Sequence, residues 1–229
     1  MNPALSPEFT QQIIDGMAAV TLLISFALLA QHRMLAVLHW FAAQGWILAA
    51  TAALVAYSTG ESELYISAFM TFVLKGLLMP WMLWRVIRKL HVHREVEPLM
   101  NTGVTIMIAV AVTLFSFHVI QPIEVTSDLM TRNTMAIATA CVLLSMLMMI
   151  TRKKAITQVI GFLAVENSLF FAAIGATNGM PLVVEIGIAF DVLIAALIFG
   201  LFFFQIRNTF DSMEIDAMHT SLVHKDDDE

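Results

Sequence analysis

Cysteine is nearly absent from these 229 residues, where Cys141 stands alone. A single thiol excludes an internal disulfide, and it excludes any iron–sulfur or zinc site built from cysteines of this chain. Charge is scarce too. Asp, Glu, Lys and Arg make up 13% of the sequence, against roughly 25% in soluble domains. With 59% hydrophobic residues, so few charges could not coat a soluble body of this size. An ordinary cytosolic enzyme is excluded, and a bilayer is the expected solvent. The net charge of -6 says little, because seven of the 18 acids follow residue 210 and leave the apolar body close to balance.

Long apolar runs are present in excess. Seven stand out, at 13–31, 34–57, 64–87, 102–120, 132–150, 155–176 and 181–206. Each approaches or exceeds the ~20 helical residues that cross about 30 Å of hydrocarbon. None alternates with period two, which excludes a transmembrane β-barrel. The expected fold is all-α, a polytopic membrane protein with seven transmembrane helices. The first run has no basic segment before it and carries Glu8 and Asp15 at its start, so it reads as a retained span and not a cleaved signal. If the first gap is cytoplasmic, ten of the twelve Lys and Arg fall on that side, Arg132 falls opposite and Lys75 lies within a span. This bias puts the N-terminus outside and the C-terminus in the cytoplasm. Residues 1–130 form an N-terminal four-helix region, 131–210 a three-helix region and 211–229 an acidic, solvated tail. His91 and His93, in the loop 88–101, read as part of a hydrated basic segment and not as a metal site.

Ionisable groups at mid-bilayer are costly and mark ion paths or pairs. Lys75 and Glu166 are each the twelfth residue of their runs, and Asp191 is the eleventh of its own. At 1.5 Å per residue all three lie about 15–17 Å deep. One cation and two acids at one depth are candidates for a proton-relay layer, with a purely structural ion pair as the alternative. Gly76 follows Lys75, and Pro80 lacks the N–H that would bond the Gly76 carbonyl, so a kink and a water-binding spot are expected there. Asn167 and Ser168 stand ready to hydrogen-bond the Glu166 carboxyl. Glu185, about one turn inside its span, is a candidate exit residue. His39 and His118, near opposite faces, are secondary proton carriers or packed residues. Asp15 is expected to reach headgroups, and Cys141 to be buried.

A basic turn (Arg152, Lys153, Lys154) precedes a helix with Gly161 and mid-span Glu166, and the next helix carries a mid-span acid. This pattern resembles the NuoK-type subunit of respiratory complex I, in which each of the last two helices holds a buried glutamate. Asp191 stands here where the second glutamate would be. Across the whole chain, S67-A-F-M-T-F-V-L-K75-G-L-L-M-P80, Q121-P122, G161-F-L-A-V-E166-N167 and V184-E185-I-G-I-A-F-D191 are similar to the hydrogenase-4 component E family. That family belongs to the membrane arm of group 4 NiFe hydrogenase and formate hydrogenlyase complexes.

The resemblance implies a non-catalytic subunit without a cofactor, in a bacterial or archaeal inner membrane. It implies as partners antiporter-like membrane subunits, a quinone-site-like membrane anchor subunit and a NiFe-hydrogenase-like soluble module, besides lipid and without nucleic acid. Redox chemistry would lie on those other chains. The relay residues it implies are Lys75, Glu166, Asp191 and Glu185. A structural bridging subunit and a stand-alone carrier are the rival expectations. A retinal protein would need its lysine in the seventh run, which has none.

Overall fold

Backbone inside hydrocarbon must satisfy its own N–H and C=O groups, so apolar runs of this length become helices. The computed structural model describes residues 7–60, 62–89, 99–120 and 129–177, together with Gly187 and Leu193. Its elements are α1 (Pro7–Ala30), α2 (Met34–Thr59), α3 (Ser62–Thr71), α4 (Met79–Lys89), α5 (Thr102–Ile120), α6 (Leu129–Thr151) and α7 (Ala155–Thr177). A π-helical segment, Phe72–Leu78, joins α3 to α4. These three make one membrane length, so the described residues contain six helices long and apolar enough to cross a bilayer. Most of the seventh run, 181–206, and the tail 211–229 lie outside the described residues. The helices belong to one compact unit, Met1–Ala189; of the second, Phe190–Glu229, only the exposed helical Leu193 is described.

Helix ends follow local chemistry. The run 102–120 coincides with α5. Helix α1 starts earlier than its apolar run, at Pro7, because proline's fixed φ and missing N–H suit a first turn. Helix α2 ends where Gly60 turns left-handed (φ 74°) and its N–H bonds the Ala56 carbonyl at 3.0 Å, a closure that favours glycine.

Helices α6 and α7 form a hairpin, α1 and α5 flank α6, and α2 packs against α1, α3, the π segment and α7. Their common core mixes small and bulky residues: Ala18, Ala52, Ala68 and Ala138 beside Leu48 and Phe171. Small side chains let backbones approach, which matters in lipid, where apolar burial between helices gains little. Leu23, Met107, Leu114 and Ile150 point outward, a surface suited to acyl chains.

Two polar clamps tie the bundle. Thr134 donates to Asp15 Oδ1 at 2.5 Å, so Asp15 joins α1 to α6, whereas a headgroup contact was expected. Arg152, 2% exposed, sits in the α6–α7 turn. Its Nη2 donates to the carbonyls of Leu29 at 2.6 Å and Gln31 at 2.8 Å. These belong to the C-terminal end of α1, where helix carbonyls lack internal partners and the dipole favours a cation. Burial pulls the guanidinium below its ordinary pKa, yet an arginine stays charged. Cys141 is buried as expected.

The π segment answers the problem that Pro80 poses. The Met79 N–H reaches back five residues, to the Leu74 carbonyl, widening the turn. The Gly76 carbonyl, expected to hold water, accepts the Trp46 indole N–H at 3.0 Å. Helix α2 reaches it because two glycines meet there. A Cβ on Gly45 would stand 2.8 Å from the Lys75 carbonyl oxygen, and one on Gly76 2.6 Å from Trp46 Cδ1.

Two stability predictions follow from these contacts. Trp46→Phe leaves a buried carbonyl unpaired and should cost about 1–3 kcal/mol in thermal unfolding of the detergent-solubilised protein. Adding Pro80→Ala restores an N–H within reach of that carbonyl. The double variant should therefore be more stable than Trp46→Phe alone, a coupling of about 0.5–3 kcal/mol. Strict additivity would show that the Trp46 bond does not replace the missing proline donor. Arg152→Gln should lower stability by about 2–4 kcal/mol. Arg152→Lys should recover only part of this, because an ammonium lacks the planar fork; an unchanged melting temperature for both would deny the clamp.

Candidate functional site

The site begins with two helices that each carry one charge at mid-depth. Lys75 lies in the π segment and is 2% exposed; Glu166 lies halfway along α7 and is 8% exposed. Their side chains meet, with Lys75 Nζ 3.4 Å from Glu166 Oε1. Tight charge-assisted bonds measure about 2.7–2.9 Å, so the two charges are paired without being clamped. Lys75 Nζ also stands 4.9 Å from the centre of the Phe170 ring, one turn further along α7. The ring face offers the cation a second attractive surface. A Cβ on Gly187 would collide with that same ring, so glycine at 187 permits a close approach to Phe170.

Polar groups beside the pair link α7, α2 and α1. Asn167 Nδ2 donates to Gln44 Oε1 at 3.4 Å, Gln44 Nε2 donates to Ser25 Oγ at 3.5 Å, and Ser25 Oγ donates to the Thr21 carbonyl at 3.0 Å. Asn167 was expected to serve Glu166 and instead reaches across to α2. Ser168 bonds the Ala164 carbonyl at 2.8 Å, within its own helix. Amides of this kind fix helix register; they do not exchange protons readily. Among the described residues, the titratable groups of the site are the lysine and the carboxylate.

The remaining candidate residues are dispersed. His39 is exposed, and its Nδ1 bonds the Leu35 carbonyl at 2.6 Å. His118 is exposed in the last turn of α5. Among the described residues, no hydrogen bond joins either histidine to the pair. Asp191 and Glu185 lie outside the described residues. Sequence reasoning missed Gly45, Trp46, Gln44 and Phe170 as parts of the site. Only Gly45-Trp46, a small residue beside a hydrogen-bonding aromatic within an apolar run, offered any signal.

No family model and no solved structure matches the chain. Uncharacterized protein Rv0085 of Mycobacterium tuberculosis is 30% identical over 207 residues, covering 90% of this chain and 94% of that protein. Hydrogenase-4 component E of Escherichia coli K12 and that of Shigella flexneri are each 21% identical over 206 residues, covering 90% of this chain and 95% of theirs. At that identity over nine-tenths of both chains, this chain belongs to the protein family that contains Rv0085.

Proposed function

We propose that this chain is a non-catalytic subunit in the membrane arm of a hydrogenase- or complex-I-like energy-converting assembly, and that it relays protons through Lys75 and Glu166. The observation that carries the reading is the buried pair itself, a lysine and a carboxylate 3.4 Å apart at mid-span. A purely structural helix contact has no need of two ionisable groups at the costliest depth. The likeness to hydrogenase-4 component E, by its name one component of a hydrogenase, supports membership of a multisubunit complex.

In this reading the relay continues to Asp191, which has the same depth in the sequence, and leaves past Glu185. His39 and His118 are secondary carriers near the two faces. The N-terminus lies outside, the tail 211–229 is cytoplasmic, and 131–210 is the NuoK-like region behind a four-helix region, 1–130. The membrane is the inner membrane of a bacterium or archaeon. Antiporter-like subunits, a quinone-site-like anchor and a NiFe-hydrogenase-like module are the partners, and redox chemistry resides there.

The test uses the assembled complex in native membranes. Glu166→Gln, Asp191→Asn and Lys75→Met should each reduce redox-driven proton translocation by about tenfold or more. The soluble module's activity with an artificial acceptor should stay intact. The double variant Lys75→Met/Glu166→Gln removes both charges together and controls for a lone buried charge. Wild-type proton stoichiometry from the assembled variants would make the pair structural and the chain a bridging subunit.

A further inference from the structure

Hydroxyls in membrane helices commonly satisfy themselves by bonding a carbonyl one turn back. Thr21, Ser25, Thr51, Thr113, Ser145 and Ser168 all do so here, at 2.8–3.0 Å. Ser67 and Thr71 break the pattern. They are 6% and 0% exposed, and neither hydroxyl oxygen has a hydrogen-bond partner. Two hydroxyls on one helix, both buried and both turned from the usual carbonyl, call for a small polar ligand.

Their register says where that ligand lies. Ser67, Thr71 and Lys75 follow one another at four-residue spacing, which places them along one helix face over about 12 Å. Four residues overshoot a full α-helical turn by about 40°. The π segment holds more residues per turn and so offsets the drift at Lys75. Glu63 occupies the preceding position of the same register in the sequence, near the Ser62 end of α3. Ala68, beside Ser67, belongs instead to the apolar core shared with α1, α2 and α7.

We propose that Ser67 and Thr71 hold a short file of water joining the Lys75 ammonium to the Ser62 end of α3, so that the buried pair exchanges protons along this face. The proposal rests on the relay reading of Lys75 and Glu166. A buried water needs two to four polar partners. One water between Ser67 and Thr71 gains two hydroxyls, each able to donate and to accept. The next, between Thr71 and Lys75, gains a hydroxyl and an ammonium. Lys75 Nζ releases a proton to the nearest water, that water passes one of its own onward, and the last proton leaves at the helix end. A proton arriving along the relay binds the Glu166 carboxylate and passes from it to the lysine amine, which restores both the ammonium and the carboxylate, so protons are conserved at each transfer.

The first measurement is access, in the full chain in native membranes with Cys141→Ala as background. Ser67→Cys, Thr71→Cys and Ala68→Cys are exposed to silver ion, small enough for a water file, and the remaining thiols are counted after denaturation. A thiolate forms where water reaches the sulfur, so positions 67 and 71 should react about tenfold or more faster than position 68. Equally slow reaction at all three overturns the file.

The second measurement is transport. Ser67→Ala/Thr71→Val should slow redox-driven proton translocation about tenfold while leaving assembly and artificial-acceptor activity unchanged. Wild-type translocation by this variant overturns the route. Lys75→Met reads the relay separately. If it stops translocation while the cysteines at 67 and 71 stay silent, the relay stands and the file fails. If those cysteines react but Lys75→Met translocates normally, water is present, the relay reading fails and the proton route fails with it.

Discussion

The pairing of Lys75 with Glu166 is the constraint around which this bundle is arranged. At 3.4 Å two unit charges attract by about 5 kcal/mol at an effective dielectric near 20. Removing one partner of such a buried pair costs about 3–5 kcal/mol. The π segment and α7, far apart in sequence, must therefore present these residues to each other. Packing around them serves that end: Phe170 lies under the ammonium, and the Asn167–Gln44–Ser25 ladder ties α7 to α2 and α1.

The backbone near Lys75 is shaped by a second need, the satisfaction of every polar group away from water. Pro80 removes a donor, the chain widens into a π turn, and Trp46 supplies the replacement N–H. That bond requires α2 to lie almost against the π segment, which the bare Cα positions of Gly45 and Gly76 allow. The irregular helix and the close crossing are thus one solution, and both centre on the residue that carries the charge.

Much of this was legible in the sequence, for physical reasons. Span lengths follow from hydrocarbon thickness, and the run 102–120 matches α5 residue for residue. Depth follows from a constant helical rise, so Lys75 and Glu166 could be set at one level. Their contact was not legible, because depth says nothing of which faces adjoin. The same limit explains the wrong partner for Asn167, whose amide is long enough to leave its own helix. Arg152 counted in the sequence as one more cytoplasmic charge. Its role in closing the end of α1 depends on where a distant helix stops, which composition does not encode. Trp46 was hidden in the same way: its partner exists only because Pro80, 34 residues on, frees a carbonyl.

The bundle's outer surface bears on how the site works. Only 22% of α5 is buried within the chain, and large apolar side chains such as Met107, Leu114 and Phe115 face outward. Lipid satisfies such a face, and so do the helices of another membrane subunit, since neither demands polar contacts. The charged pair is enclosed by the chain's own helices. On the proposed reading, proton exchange with it runs along the polar face of Ser67 and Thr71. On that reading, such a chain needs no catalytic group of its own: a charge that is stable when paired and a polar path by which a proton can reach it are enough.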